Sequence, residues 1–252
     1  SYPFHDELSG KDAAANAISK IDKEVGASQV AAIVIEPIQG EGGFIVPAPG
    51  FLKTIADWAK ENGILFIADE VQTGFARTGD MFASTHEQVI PDLITMAKGM
   101  GGGLPVAAVT GRAEIMDAIH PGGLGGTYGG NPVALAGALG AISALEQDNM
   151  LEKAKHIESI MLPRLTNMAK QNSVIGDVRG RGAMIAIEIV TPGTKNPDAD
   201  LTSKIAKNCH TEGVLVLTAG TYGNVLRFLP PLVISDELLN EGLDVLEKAI
   251  IS

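Results

Sequence analysis

What most constrains this chain is a strand, a helix and a strand read in succession between residues 29 and 69. "QVAAIVIEP" is a short apolar run closed by Pro37, which has no N–H to extend a ladder. "PAPGFLKTIADWAKENG" puts Phe51, Leu52, Ile55, Trp58 and Ala59 on one helical face, with Gly63 as a stop. "ILFIAD" is a second buried strand, so the three form a βαβ unit with parallel strands. Downstream, "DLITMAK" and "PVAAVTG" predict further strands and "RAEIMDAIH" a short helix. Residues 131–170 read as a long Ala-rich helical region broken near Asp148 and Pro163. The expected class is α/β, a mostly parallel sheet with helices on both faces.

After "NSVIGDVRGRG" the pattern changes. "AMIAIEIV", the loop "TPGTKNPDAD", the helix "LTSKIAKNCHTEG", the strands "VLVLTAG" and "NVLRFLPP" and a final helix from Asp236 predict a compact α+β unit. The expected boundary lies near residues 172–180, giving a large domain over 1–172 and a small C-terminal domain over 173–252. No internal repeat or low-complexity segment interrupts either.

Composition removes several function classes. A formal charge of -11 and a pI near 4.9, without a Lys/Arg cluster, exclude a polyanionic partner such as nucleic acid. One cysteine, Cys209, can form neither an internal disulfide nor a thiolate metal site, which points to a reducing compartment, the cytoplasm, and to no bound metal. No apolar run approaches the ~20 residues needed to span a bilayer. The opening "SYPFHDELSG" lacks the basic and apolar regions of a signal peptide, and its missing initiator Met points to a start inside a longer parent.

In an open parallel sheet, ligands bind beyond the carboxyl ends of the strands. Asp69 ends one such strand, either as an ordinary cap or as a ligand group. Lys98 directly follows another and precedes "GMGGG", where glycines let a flat ligand approach the backbone. A desolvated lysine is the usual nucleophile for a carbonyl. Pyridoxal phosphate asks a protein for a lysine for its aldehyde, a carboxylate for its pyridinium nitrogen and donors for its phosphate. Asp69 and Lys98 supply two of these. Thr127, in "GGLGGTYGGNP", has a hydroxyl and neighbouring free N–H groups suited to the third, although the same string reads equally as a plain loop.

The ordered motifs "IEPIQGEGG", "DEVQTGFARTG", "PDLITMAKGMGGGLP", "HPGGLGGTYGGNP" and "VRGRGAMIAIEI" resemble class III, ω-amino-acid aminotransferases over nearly the whole chain, with wording nearest 4-aminobutyrate aminotransferases. The resemblance implies a fold-type I pyridoxal-phosphate-dependent transferase. By it, Lys98 is the Schiff-base lysine, Asp69 the pyridinium partner, Gln72 the residue at the cofactor's ring oxygen and Thr127 a phosphate ligand given to the neighbouring subunit. The complete protein is then a homodimer or a dimer of dimers. Glu70 is read as a structural contact, since it faces the opposite way from Asp69. The family also carries an N-terminal portion with a phosphate-cradling loop and a stacking aromatic. Neither has a counterpart here, so the chain corresponds to the later part of the large domain plus the small domain.

The same resemblance implies the substrates. Glu41, in "QGEGG", would cover Arg227, in "NVLRFLPPLV", while an ω-amino acid donates, and would release it to the carboxylate of 2-oxoglutarate. The alternative for this pair is a fixed interdomain salt bridge. The expected reaction is transamination of 4-aminobutyrate with 2-oxoglutarate, giving succinate semialdehyde and glutamate. Acetylornithine, ornithine or diamine transamination, or a catalytically silent fragment, are the alternatives.

Overall fold

The computed structural model describes residues 8–251. Residues 1–7, which include most of the opening stretch examined for a signal peptide, lie outside the described residues. The chain divides into two compact units. The first comprises Ser1–Pro37, Pro47–Ala76 and Asp80–Asp148, and the second Ile38–Val46, Arg77–Gly79 and Asn149–Ser252. The last of several crossings between the units falls between Asp148 and Asn149.

The first unit opens with helix α1 (Gly10–Glu24), which the sequence reading passed over. Its signal is Ser9, whose hydroxyl accepts from the N–H of Asp12 at 3.1 Å, an N-cap followed three residues on by an acid. Strand β1 (Ala32–Ile35) and helix α2 (Phe51–Glu61) follow as expected. Helix α2 buries Leu52, Ile55 and Ala59 and ends where Gly63 turns left-handed, letting the N–H of Ile64 reach back to Ala59 O at 2.8 Å. Strand β2 (Leu65–Asp69), strand β3 (Leu93–Met96) and strand β4 (Ala108–Gly111) complete a sheet of order β1-β2-β3-β4. The β1-β2 and β2-β3 pairs are parallel, and β4 runs antiparallel along the edge.

Only one face of this sheet has an apolar cover among the described residues. Ile33, Ile35 and Phe66 pack with α1 and α2. Ile94, Met96 and Ala108 point to the same face and pack with Phe75, Met100 and helix α4 (Pro132–Gln147). The opposite face carries Val34, Leu65, Ile67, Asp69, Leu93, Thr95 and Val109. None of these joins a core cluster, and Val34 and Val109 are 63% and 51% exposed. Among the described residues the helices of this unit lie on one face, where the sequence predicts them on both. The short helix α3 (Ala113–Met116) stands where it was read.

In the second unit, helix α5 (Met150–Gln171) runs through Pro163 without breaking; the only interruption in 131–170 is at Asp148 and Asn149. A mid-helix proline costs a hydrogen bond and a steric clash. Met150, Ala154, Ile157, Met161, Leu165 and Met168 all bury one face of α5, and that burial outweighs the local defect. The sheet has order β5-β6-β8-β7 and is antiparallel throughout. It is built from β5 (Ile175–Arg181), β6 (Met184–Ile189), β7 (Leu217–Ala219) and β8 (Val225–Phe228). Strand β5 went unread because Gly176 and Gly180 interrupt its apolar pattern. Helices α6 (Ala199–Thr211) and α7 (Asp236–Ile251) join α5 on the face of Ile185, Ile187 and Ile189.

Helix α5 yields a paired expectation. Leu165→Ala should lower stability by about 2–5 kcal/mol through transfer loss and a cavity. Pro163→Ala should raise it by up to ~3 kcal/mol, the scale of a mid-helix proline. Urea melts of both variants check the pair, and a destabilised Pro163→Ala would mean that the proline geometry is built into the packing.

Candidate active site

The carboxyl end of β2 separates two adjacent acids. Phe66, Ala68 and Glu70 fall on the covered face, and Leu65, Ile67 and Asp69 on the other, because successive strand side chains point to opposite faces. Glu70 is fully buried. It accepts from the hydroxyl of Thr73 and from the backbone N–H groups of Ala83 and Ser84, the latter two at 2.9 and 2.8 Å. Its carboxylate organises the loop that follows β2, the structural role read for it from the sequence. Asp69 is half-buried, and its Oδ1 accepts from the N–H of Val71 at 3.1 Å. Gln72 lies half-buried in the turn that follows.

Lys98 stands at the carboxyl end of the neighbouring parallel strand, three residues beyond Thr95, which is in register with Asp69. It begins a 3-10 turn, Lys98–Gly101, with φ of 48°. A left-handed lysine is uncommon and marks a locally constrained backbone. The turn is held from below by Met100, which packs with Ala138 of α4. Lys98 itself is exposed and makes no hydrogen bond or ion pair among the described residues.

Thr127 is not brought to this group. It lies in an exposed, Gly-rich turn four residues before Asn131, whose side chain caps α4 by accepting from the N–H groups of Val133 and Ala134 at 3.0 and 3.2 Å. It has no hydrogen bond to Asp69, Gln72 or Lys98.

Glu41 and Arg227 meet within the second unit. Arg227 projects from β8 on the face shared with Ala186 and Val225. Its guanidinium lies 5.9 Å from the centre of the buried Phe44 ring. It donates from Nη1 to Glu41 Oε1 at 2.6 Å. The exposures are unequal: the Arg227 side chain is 14% exposed and that of Glu41 70%. The Nε of Arg227 is buried and has no partner among the described residues.

Beside this pair sits a buried ion network to which the sequence reading attached no role, although it lies in the quoted "VRGRG". Arg179 donates to Asp177 at 2.7 Å and Glu188 at 2.6 Å, and takes Gly43 O from both Nε and Nη2, at 3.0 and 2.7 Å. Burial pulls the Arg179 pKa down. The hydrogen bond to Asp177 and the charges of Glu188 and Asp177 outweigh it, so the guanidinium is held above its ordinary value. The sequence cue to this network was one acid, Glu188, inside the otherwise apolar run "AMIAIEIV".

An acid and a lysine thus stand at the carboxyl ends of adjacent parallel strands, the end at which open α/β sheets bind ligands. The Aminotransferase class-III family model matches residues 1–250. The chain is 57% identical to a 4-aminobutyrate aminotransferase of Mycobacterium leprae over 99% of its own length and 58% of the relative's. Among solved structures, it superposes with a TM-score of 0.84 and 38% identity on an acetylornithine aminotransferase from Elizabethkingia anophelis, covering 93% of this chain and 57% of that one. An ornithine aminotransferase from Toxoplasma gondii, whose active site holds PLP at partial occupancy, gives a TM-score of 0.85 at 35% identity over 94% of this chain and 53% of that one. The chain therefore belongs to the class III aminotransferases and has the mixed α/β fold of PLP-dependent aminotransferases. It spans a little under three-fifths of the length of the curated relative cited. No helix among the described residues is long and apolar enough to cross a membrane.

The two neighbouring acids should respond differently to substitution. Glu70→Ala leaves three buried donors without an acceptor and should cost at least ~3 kcal/mol, at ~1–3 kcal/mol for each orphaned group. Asp69→Asn keeps its Oδ1 acceptor and should stay within about 0.5 kcal/mol of the parent. Chemical denaturation of the two variants distinguishes a structural carboxylate from one free to serve a ligand.

Proposed function

We propose that this chain carries the cofactor lysine, the ring-nitrogen carboxylate and the substrate-selecting arginine of a pyridoxal-phosphate-dependent ω-amino-acid transaminase. Its donor is 4-aminobutyrate and its acceptor 2-oxoglutarate, and its products are succinate semialdehyde and glutamate. The observation that carries the substrate reading is the Glu41–Arg227 pair. A mostly buried guanidinium on a strand is covered by a mostly exposed carboxylate on a loop, so the carboxylate can turn into solvent while the guanidinium stays and needs another carboxylate in its place.

The donor set suits the cofactor. Asp69, half-buried on the sheet face that has no apolar cover among the described residues, would hold the ring nitrogen, and Lys98, with no ion pair among them, would hold the aldehyde carbon. Gln72 would meet the ring oxygen. Thr127, placed away from these three, would serve a phosphate across a subunit boundary, which makes the working protein a homodimer or a larger assembly. When bound, pyridoxal phosphate supplies an electron sink for the pair left on carbon as the substrate's proton departs. With the cofactor bound, the charge of Asp69 would keep a proton on the ring nitrogen, and the Lys98 amine would move the substrate proton.

Selection between the half-reactions falls to Glu41 and Arg227. An ω-amino donor has no carboxylate beside its reacting carbon, and Glu41 then neutralises Arg227. The acceptor brings such a carboxylate, which displaces Glu41 and takes the guanidinium as a planar fork. The solved ornithine and acetylornithine aminotransferases favour a second reading, with a diamine or its acetylated derivative as donor and the same acceptor chemistry.

In the complete enzyme, Lys98→Ala should abolish the visible absorption of covalently held cofactor and lower turnover at least ~10²-fold while leaving the fold intact. Asp69→Asn should slow the half-reactions by ~10²-fold or more with cofactor still bound. Parental turnover in either variant would reassign that residue.

Single-turnover rates test the selection. Arg227→Lys should harm the 2-oxoglutarate half-reaction at least ~10-fold more than the ω-amino half, since an ammonium cannot reproduce the fork. Glu41→Ser should improve glutamate relative to 4-aminobutyrate as donor. Equal losses in both halves would leave only a salt bridge.

A further inference from the structure

We propose that Arg179 is a positioning residue for substrate selection: by gripping the backbone of the loop that carries Glu41, it sets how strongly Glu41 covers Arg227. This rests on the reading of that pair as a switch. The loop over residues 39–45 closes on itself, with Gln39 and Ile45 exchanging backbone hydrogen bonds at 3.1 and 3.2 Å. Between them, Gly40, Gly42 and Gly43 leave the chain intrinsically free. Outside contacts remove that freedom at three points. The Arg179 guanidinium takes Gly43 O with two N–H groups, at 3.0 and 2.7 Å. The N–H of Gly220 donates to Glu41 O at 3.1 Å. Phe44, fully buried with Met184, Ala186 and Val225, plugs the loop into the core beneath Arg227.

Arg179 is itself immobilised. Asp177 and Glu188 take its Nη1, and Glu188 is held in turn by Asn224 Nδ2 at 3.2 Å. Asn224 also donates to Ile189 O at 3.0 Å, so the chain of contacts ends in the backbone of β6. With its backbone fixed in this way, Glu41 leaves Arg227 by side-chain rotation alone, and it returns to a set position. The network thereby raises the effective concentration of the Glu41 carboxylate at the guanidinium. A lysine at 179 cannot supply the two-pronged grip on Gly43 O. The glycine loop would then spread over more conformations, and Glu41 would compete less well with an incoming carboxylate.

This gives an effect opposite in sign to structural damage. A weakened Glu41 cover tightens the binding of a dicarboxylate to Arg227, whereas a damaged unit weakens it. The test uses the full 252-residue chain and glutarate, an unreactive dicarboxylate, followed by calorimetry and by the NMR signals of the arginine Nε–H groups. Arg179→Lys should tighten glutarate by roughly three- to tenfold, within the range of coupling between neighbouring residues. In a Glu41→Gln background it should add nothing, since it acts through Glu41. The Gly43 and Gly220 amides should exchange faster in Arg179→Lys, while those of β6 stay protected.

Unchanged or weaker glutarate binding in Arg179→Lys, or an equal change in both backgrounds, overturns the proposal. If Arg179→Lys does not give a folded NMR spectrum, Asp177→Asn, which loosens one anchor of Arg179, is read in the same two backgrounds by the same criteria. Failure of the underlying switch shows separately, in proteins that retain Arg179. There, Glu41→Gln would leave glutarate affinity unchanged, or Arg227→Lys would fail to reduce it.

Discussion

The alternation of a single strand underlies the first unit's chemistry. Because β2 is extended to its end, Asp69 and Glu70 cannot share an environment. Glu70 turns with Phe66 and Ala68 into the covered face, where a bare carboxylate would be untenable, and it is stabilised by three donors from its own loop. That loop is thereby tied to the strand end. Asp69 turns to the face that has no apolar cover among the described residues and keeps one short-range hydrogen bond, so most of its capacity to accept remains available. A one-residue slip of β2 would exchange the two roles. The parallel register with β3, in which Asp69 stands opposite Thr95, prevents the slip and brings Lys98 to the neighbouring strand end.

In the second unit the governing strand is β6, buried along its whole length. One side, through Ile185, Ile187 and Ile189, is ordinary core against α5, α6 and α7. The other side begins apolar, with Met184 and Ala186 against Phe44, and ends in Glu188, which is fully buried. A buried carboxylate of this kind persists only when paired, and Arg179 and Asn224 supply the partners. Arg77 contrasts with Arg179: this guanidinium donates to the carbonyls of Ala183 and Pro230, and burial lowers its pKa.

Much of this was readable in one dimension. The βαβ opening, the carboxyl-end positions of Asp69 and Lys98 and the change of pattern after "VRGRG" follow from periodicities that reflect burial directly. Other elements escaped because their signals are weak or are overridden by packing. Helix α1 is announced by little more than the Ser9 cap. Strand β5 contains two glycines, and at Gly180 a Cβ would come within 2.4 Å of Met184 O, so close strand approach put glycine where propensity opposes a strand. Proline at 163 was read as a break because local rules count a lost hydrogen bond, but not the buried stripe from Met150 to Met168.

The sequence by itself determined residue chemistry and local placement: an acid and a lysine after apolar strands, an arginine within a strand and a glutamate in a glycine loop. Those depend on neighbours within a few positions, where alternation and helical period govern. Tertiary structure alone decided that Arg179 holds the glycine loop, and it brought Glu41 and Arg227, paired until then only by the family resemblance, to 2.6 Å across 186 residues of chain. Such contacts are set by how sheets and loops close on one another. No local pattern encodes that, because the same glycine loop or strand arginine would satisfy its own neighbourhood in many different packings.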